Sequence, residues 1–174
     1  GYGAESARSI TVEDVDQYTS YDKTTFENNY SSPGKYGETK SYSFSSKLIY
    51  PFTVEGAKSG ATSDVTINSS GKYTVPQTYY GYTISSYKKS GISDSVYSML
   101  KANDYWLASR FCSLDSSYCV LGVRIVRSGY VDGNNMFYSD GDTNIRSWSA
   151  CSVVSLKSNI RTSGQDSSGV WQLK

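Results

Sequence analysis

The chain contains no histidine at all. Without an imidazole to take the proton, nucleophilic catalysis of the Ser-His or Cys-His kind is excluded. Zero His and only three Cys argue against a protein-built transition-metal site. No apolar run approaches the ~18 residues of a membrane-spanning helix, so no membrane insertion by this segment is expected. Net charge is only +1, with no basic block, which removes the electrostatic footprint of a nucleic-acid binder. No G-x-S-x-G elbow and no phosphate-cradling Gly loop is present. Eleven Asp keep paired-carboxylate hydrolysis open, but their spacing marks no pair, and solvated turn Asp is the default reading. No cofactor is expected.

A second absence is local. Between Ala108 and Leu156 there is no Lys, Glu, Gln or Pro, although the chain holds eleven, five, four and three of them. Ser, Asp, Asn, Tyr, Cys, Gly, Arg, Val, Ile, Leu and Phe fill the window. An Asn codon ending in a pyrimidine, randomised at its two adenines, reaches all of these residues. It cannot reach Lys, Glu, Gln, Met or Trp. The window therefore reads as a diversified binding surface laid over a fixed scaffold, with Met136 and Trp148 as scaffold positions. The plainer reading is a β-rich segment poor in helix formers.

What is present fits one domain over residues 1–174, with one core. The 17 Tyr are well above ordinary usage, and a Tyr/Ser/Gly/Asn surface is the chemistry of antibody paratopes. Cys112 and Cys119 could close a short disulfide loop in a secreted protein, leaving Cys151 over; three independent thiols is the equal alternative. The chain starts at Gly1 rather than Met, which raises the expectation of a removed N-terminal signal or anchor.

Residues 9–20 read as a strand entry followed by a short helix, with Thr11 and Asp14 as a capping box and Val12 and Val15 on one face. Residues 22–41 are polar, with loops at Pro33-Gly34 and Gly37. Ser41–Phe52 alternates as a half-buried strand or two. Asp64–Val75 reads as a hairpin, turning at Asn68-Ser69-Ser70-Gly71. Ser93 or Ser95 caps a second helix, with an apolar stripe of Val96, Met99 and Leu100, ending at Asn103. Strands are then expected at Tyr105–Arg110, Val120–Val126, Tyr130–Val131, Met136–Tyr138 and Val153–Leu156, with turns at Ser128-Gly129 and at 139–142. Val170-Trp171-Gln172-Leu173 is expected to dock back as a closing strand. Two helices ahead of a strand-and-loop half make an α+β domain.

Asp140, Asp142 and Asn144 offer oxygens at alternate positions, as a calcium loop requires. The match fails at Ile145 and Cys151, which leaves an Asx turn. Arg124 and Arg127 are three apart in one strand and so face opposite ways, one structural and one on the surface. Trp106 is expected in the core with Arg110 as a structural donor.

Tyr105-Trp106-Leu107-Ala108-Ser109-Arg110, Gly122-Val123-Arg124, Ser128-Gly129, Ser139-Asp140-Gly141 and Val153-Val154-Ser155-Leu156-Lys157-Ser158 resemble the variable proteins of diversity-generating retroelements from gut bacteria and their phages. The stretch from Ala7 to Val15 resembles them too. The resemblance covers this N-terminal motif and roughly the last 70 residues. It implies a C-type-lectin-like fold with two short helices, a small antiparallel sheet and long irregular loops. Residues 1–104 would form a scaffold half, 105–158 a variable region and 159–174 a C-terminal tail. It also implies a non-enzymatic ligand-binding protein, extracellular or displayed on a cell surface, pilus-like appendage or phage fibre, whose partner is an unknown protein or surface ligand.

On that resemblance the scaffold is Trp106, Leu107, Arg110, Val123, Arg124, Gly129, Val131, Met136, Phe137, Gly141, Val153, Val154 and Leu156. The candidate diversified positions, expected to face solvent, are Phe111, Cys112, Leu114, Asp115, Ser117, Tyr118, Val120, Ile125, Arg127, Tyr130, Asp132, Asn134, Asn135, Tyr138, Asp142, Asn144, Ile145 and Arg146. Tyr130, Asp132 and Asn134 alternate and would share one face. Cys151-Ser152 stands where the family typically has Arg-Pro. Two other readings are a fixed pilus-like or surface module of the same fold, and an oxidase resembling formylglycine-generating enzymes through Cys112 and Cys119. No Glu-Pro-Asn, Gln-Pro-Asp or Trp-Asn-Asp motif supports calcium-dependent sugar binding.

Overall fold

A computed structural model of the chain describes residues 4–26, 34–43, 66–67, 73–138, 147–156, 162–165, 167 and 171–173. It is a mixed helix and sheet structure with two helices and several small sheets, compatible with the α+β class. β1 (Ala4–Ser9) runs into α1 (Val12–Asp16). The boundary is chemical. Thr11 accepts from the Asp14 N–H at 3.3 Å, and the Asp14 carboxylate accepts from the Thr11 N–H at 2.8 Å, which is the expected capping box. Arg8 donates to the same carboxylate, holding Asp14 well below its ordinary value. Val12 and Val15 are buried beneath the helix.

β1 is paired antiparallel with β10 (Ser152–Leu156), with one irregularity between Ala4 and Ser6, so the N-terminal strand is clasped to one from the C-terminal part of the chain. β2 (Thr39–Tyr42), β3 (Thr66–Ile67) and β4 (Tyr73–Pro76) form a second sheet in the order β2-β4-β3. The hairpin expected over 64–75 is present as the β3–β4 pair; its turn lies outside the described residues, as does the expected strand beyond residue 43.

The largest sheet has five strands in the order β5-β8-β7-β6-β9. These are β5 (Tyr82–Thr83), β6 (Tyr105–Leu114), β7 (Cys119–Arg127), β8 (Tyr130–Tyr138) and β9 (Ser149–Ala150). Ser128 (φ 51) and Gly129 (φ 74) make the two-residue β7–β8 turn. Positive φ at both places is what a type I′ hairpin demands, and the expected Ser-Gly turn is found there. β8 is one continuous strand rather than two, because its polar middle, Asp132–Asn135, pairs with β7 throughout; the register slips only between Leu121 and Gly122. The tail strand β12 (Trp171–Leu173) pairs with β11 (Thr162–Gln165), so it closes on its own hairpin.

α2 (Asp94–Leu100) follows Ser93, whose hydroxyl contacts Ser95 rather than capping the helix. Its buried face is Tyr97 and Leu100. Met99, expected in the stripe, is 70% exposed. Tyr97 takes the inward place because its hydroxyl donates to the Tyr18 carbonyl at 2.8 Å and accepts from the Lys89 N–H at 2.7 Å.

Tyrosine serves the core more than the surface. Tyr42, Tyr79, Tyr80, Tyr82, Tyr97 and Tyr105 are all buried. Tyr80 and Tyr82 lie parallel with centroids 6.3 Å apart, Tyr21 stacks on Tyr82 at 4.3 Å, and both buried hydroxyls donate to the Asp16 carboxylate. Aromatic bodies bring apolar area into a chain poor in aliphatics, and each hydroxyl needs an acceptor once buried.

Burial pushes the Tyr79, Tyr80, Tyr82 and Tyr105 hydroxyls far above their ordinary value, and those of Tyr21 and Tyr42 up to about 12. An unfolded tyrosine ionises near pH ~10. Their contribution to stability is therefore complete below that pH and lost as pH rises from it through the native values. In an alkaline titration these six tyrosines are expected to ionise together with the loss of circular dichroism. Independent titration at the ordinary value, with the fold intact, would contradict the buried arrangement.

Candidate functional site

β6, β7 and β8 carry fourteen of the eighteen candidate positions together with their two connecting turns, and Asp142, Asn144, Ile145 and Arg146 lie outside the described residues. The expected calcium-type or Asx turn at 140–144 and the scaffold residue Gly141 lie outside them too. The fourteen fall into three groups.

The first group converges. Phe111 of β6, Val120 of β7 and Tyr79 form one buried cluster, against which Phe26, Tyr118 and Tyr138 pack half-buried. Tyr118 and Tyr138 have centroids 5.8 Å apart, and the Asn135 amide donates to the Tyr138 hydroxyl at 3.4 Å. Tyr79 meets Phe111 at 5.4 Å and Phe26 edge-on at 5.7 Å. Five candidate positions from three segments (Phe111, Tyr118, Val120, Asn135 and Tyr138) thus meet at one aromatic face.

The second group lies at the other end of the β7–β8 hairpin. Asp132 accepts from Tyr79 Oη at 2.8 Å and from Arg127 Nη2 at 3.0 Å, and Tyr130 is exposed beside them. Tyr79 is the link, since its ring belongs to the first group and its hydroxyl to the second.

The third group corrects the expectation that all these positions face solvent. Phe111, Cys112, Leu114, Val120, Ile125 and Asn134 are buried. β7 is a central strand with neighbours on both edges, and both of its faces are covered, so alternation gives it no wet side. Cys112 and Leu114 pack with Tyr42, Val75, Cys119 and Leu121 under the second sheet. Tyr130, Asp132 and Asn134 run from exposed to buried along their shared face. Asp115 is tied into its turn: its backbone carbonyl accepts from Lys40 Nζ at 2.9 Å and Tyr42 Oη at 2.5 Å. Ser117 is exposed at the tip.

The three cysteines are thiols. Cys112 pairs with Leu121 and Cys119 with Leu114, a diagonal offset that holds the two Cα atoms at the ~7 Å limit for a disulfide. Both thiols are buried in one cluster with Tyr42, Val75, Leu114 and Leu121, and Cys112 also lines the cleft beside Arg124. Trp106, expected in the core, is half-buried, and Arg110 is exposed, with the register of β6 against β7 breaking between them.

Arg124 is the buried one of the two arginines, at 1% exposure. Its guanidinium lies 4.1 Å from the Tyr80 ring centroid and 5.3 Å from that of Tyr79. It donates through Nη2 to the Thr78 carbonyl at 2.5 Å and through Nη1 to the Tyr80 carbonyl. Residues 77–81 form a strap across the sheet. The strap bonds to β6 through Thr78 and Tyr79 N–H to the Cys112 carbonyl, both at 2.9 Å. It passes over Arg124 of β7 and enters β5 against β8. The Gln77 side-chain carbonyl, buried in the same strap, accepts from the Leu114 N–H at 2.7 Å.

Phe26, Thr78 and Tyr79, which shape this region, escaped sequence reasoning. They lie outside the window that lacks Lys, Glu, Gln and Pro, and no local motif marks them. Among the described residues no group of His, Cys, Asp or Glu is placed to hold a metal ion, and no helix is long and apolar enough to cross a membrane. No protein-family model, curated protein or solved structure matches this chain.

Proposed function

We propose that this chain is a non-enzymatic ligand-binding domain of C-type-lectin-like fold, displayed outside the cell or on a phage particle, whose C-terminal half is diversified by retroelement mutagenesis. The observation that carries the reading is the convergence of Phe111, Tyr118, Val120, Asn135 and Tyr138 on one aromatic face. These positions were picked out by residue type and a family resemblance, yet they come from three segments and meet in space. The half-buried tyrosines supply contact area at small rotamer cost, and Asn135 supplies an adaptable polar group. Phe111 and Val120 act from beneath, setting the height and tilt of the rings above them.

A fixed module of a pilus-like appendage is the second reading. It is supported by β8, which among the described residues pairs with β5 only at Tyr130 and Val131. Among the described residues that leaves Asp132–Tyr138 without a second neighbouring strand, an edge on which a subunit of such an appendage would pair. Sequencing the DNA downstream of the gene separates the two. The diversified reading expects a near-copy of codons 108–156 with Asn codons at the candidate positions, beside a reverse-transcriptase gene. A locus without that repeat overturns it and leaves the fixed module.

A further inference from the structure

A cleft of about 300 Å³ opens beside the break in the β6–β7 register. It is lined by Val12 and Glu13 of α1, Tyr36, Thr78 of the strap, Ala108–Cys112 and Arg124. Three observations define its chemistry. Arg124 is a cation 1% exposed, and its two hydrogen-bond partners, the Thr78 and Tyr80 carbonyls, are neutral. Among the described residues no carboxylate forms an ion pair with it. Its Nε–H is buried and has no acceptor. A buried donor without a partner is costly, and on a charged group more so.

The remaining polar groups of the cleft are mostly committed. The Ser109 hydroxyl accepts from the Val12 N–H at 2.9 Å and donates to Glu13 Oε2 at 3.3 Å. The Thr78 hydroxyl oxygen accepts from the Cys112 N–H at 2.7 Å, which leaves its own hydrogen to donate. What the cleft lacks is an acceptor bearing negative charge next to Arg124.

We infer that this cleft binds a small carboxylate, one oxygen accepting from Arg124 Nε–H and the other from the Thr78 hydroxyl. The site shares Phe111 with the aromatic face but does not depend on how that face is read. Glu13 is the one acid lining the cleft, and as an exposed like charge at the mouth it weakens the binding of any anion. The volume suits a ligand at the small end of the usual pocket range.

The test is a titration of the whole chain with acetate at constant ionic strength, with chloride as the control anion. It is followed by the NMR signal of the Arg124 Nε–H. A saturable shift with acetate and none with chloride is expected. Glu13→Gln is expected to tighten acetate about fivefold, the effect of removing one like charge across a few ångströms of wet cleft. Ala108→Trp, at an exposed cleft position whose side chain makes no hydrogen bond, is expected to abolish the shift by filling the space while circular dichroism stays native. The proposal is overturned if acetate and chloride give the same unsaturable drift, or if the acetate response survives Ala108→Trp in a folded protein.

Discussion

Arg124→Ala is expected to lower the free energy of unfolding by about 3–5 kcal/mol, as read from urea denaturation. The loss has two parts. The Thr78 and Tyr80 carbonyls lose their donors inside the protein, and the space under the Tyr80 ring is left unfilled. A third effect opposes these. Burial without an ion pair pushes the Arg124 guanidinium below its ordinary value, the sign of a cation held at some cost. Arg124→Met separates out the packing part, since both substitutions remove the charge and the two donors. It keeps most of the volume, removes the buried charge and still orphans both carbonyls, so a smaller loss of about 2–3 kcal/mol is expected. Arg124→Lys cannot span both carbonyls with one ammonium and is expected to fall between them. If Arg124→Ala shifted stability by less than about 1 kcal/mol, the strap would be held by its bonds to β6 alone.

Those bonds show which parts of the fold were legible in the sequence. Local chemistry was readable where a few neighbouring residues decide the outcome. Thr11 and Asp14 specify a capping box by themselves, and Ser128-Gly129 specifies a tight hairpin because few residue pairs accept positive φ twice. Alternation also gave the two sides of β7 at Arg124 and Arg127. What could not be read was the covering of the sheet. Residues 77–81 look like an ordinary polar-aromatic stretch, and nothing local says that they cross the face of a sheet whose long strands begin only at Tyr105. Without that strap, Phe111 and Val120 read as apolar residues on an open surface, and a binding surface was the natural explanation for them. With it, they are core. Tyr97 and Met99 make the same point on α2. Both are apolar enough for a buried face, and the Tyr18 carbonyl and Lys89 N–H, outside the helix, decide that Tyr97 turns inward. Of the aromatic face, Tyr118, Asn135 and Tyr138 were found through residue type, whereas Phe26 and Tyr79 are brought there by tertiary packing alone.

Phe111 connects the core to that face, and its fit depends on two glycines. A Cβ at Gly133 would meet the Phe111 ring at 2.5, 2.6 and 3.0 Å and nothing nearer. A Cβ at Gly122 would lie 2.2 Å from the Asn134 backbone carbonyl as well as 2.6 Å from the same ring. The two substitutions therefore differ in kind. Gly133→Ala is expected to cost about 2 kcal/mol with Phe111 present, because a buried ring must leave its rotamer or push the sheet apart. Replacing the ring should recover much of that loss. In a double-mutant cycle with Phe111→Val, read by urea denaturation, the pair is expected to be less destabilised than the sum of the single changes by about 1–2 kcal/mol. Gly122→Ala is expected to cost more than about 3 kcal/mol and to show little recovery with Phe111→Val, since its closest obstacle is a neighbouring strand's backbone. Additive behaviour at Gly133 would mean that the ring does not rest on that glycine. The functional consequence follows from the same geometry. A floor of two glycines leaves a slot at position 111 that takes a phenyl ring and also admits smaller side chains, while the strands around it stay in place. A side chain at 133 would turn that slot into a site for small residues only. Coupling at Gly133 is thus the physical condition for letting position 111 vary without losing the fold.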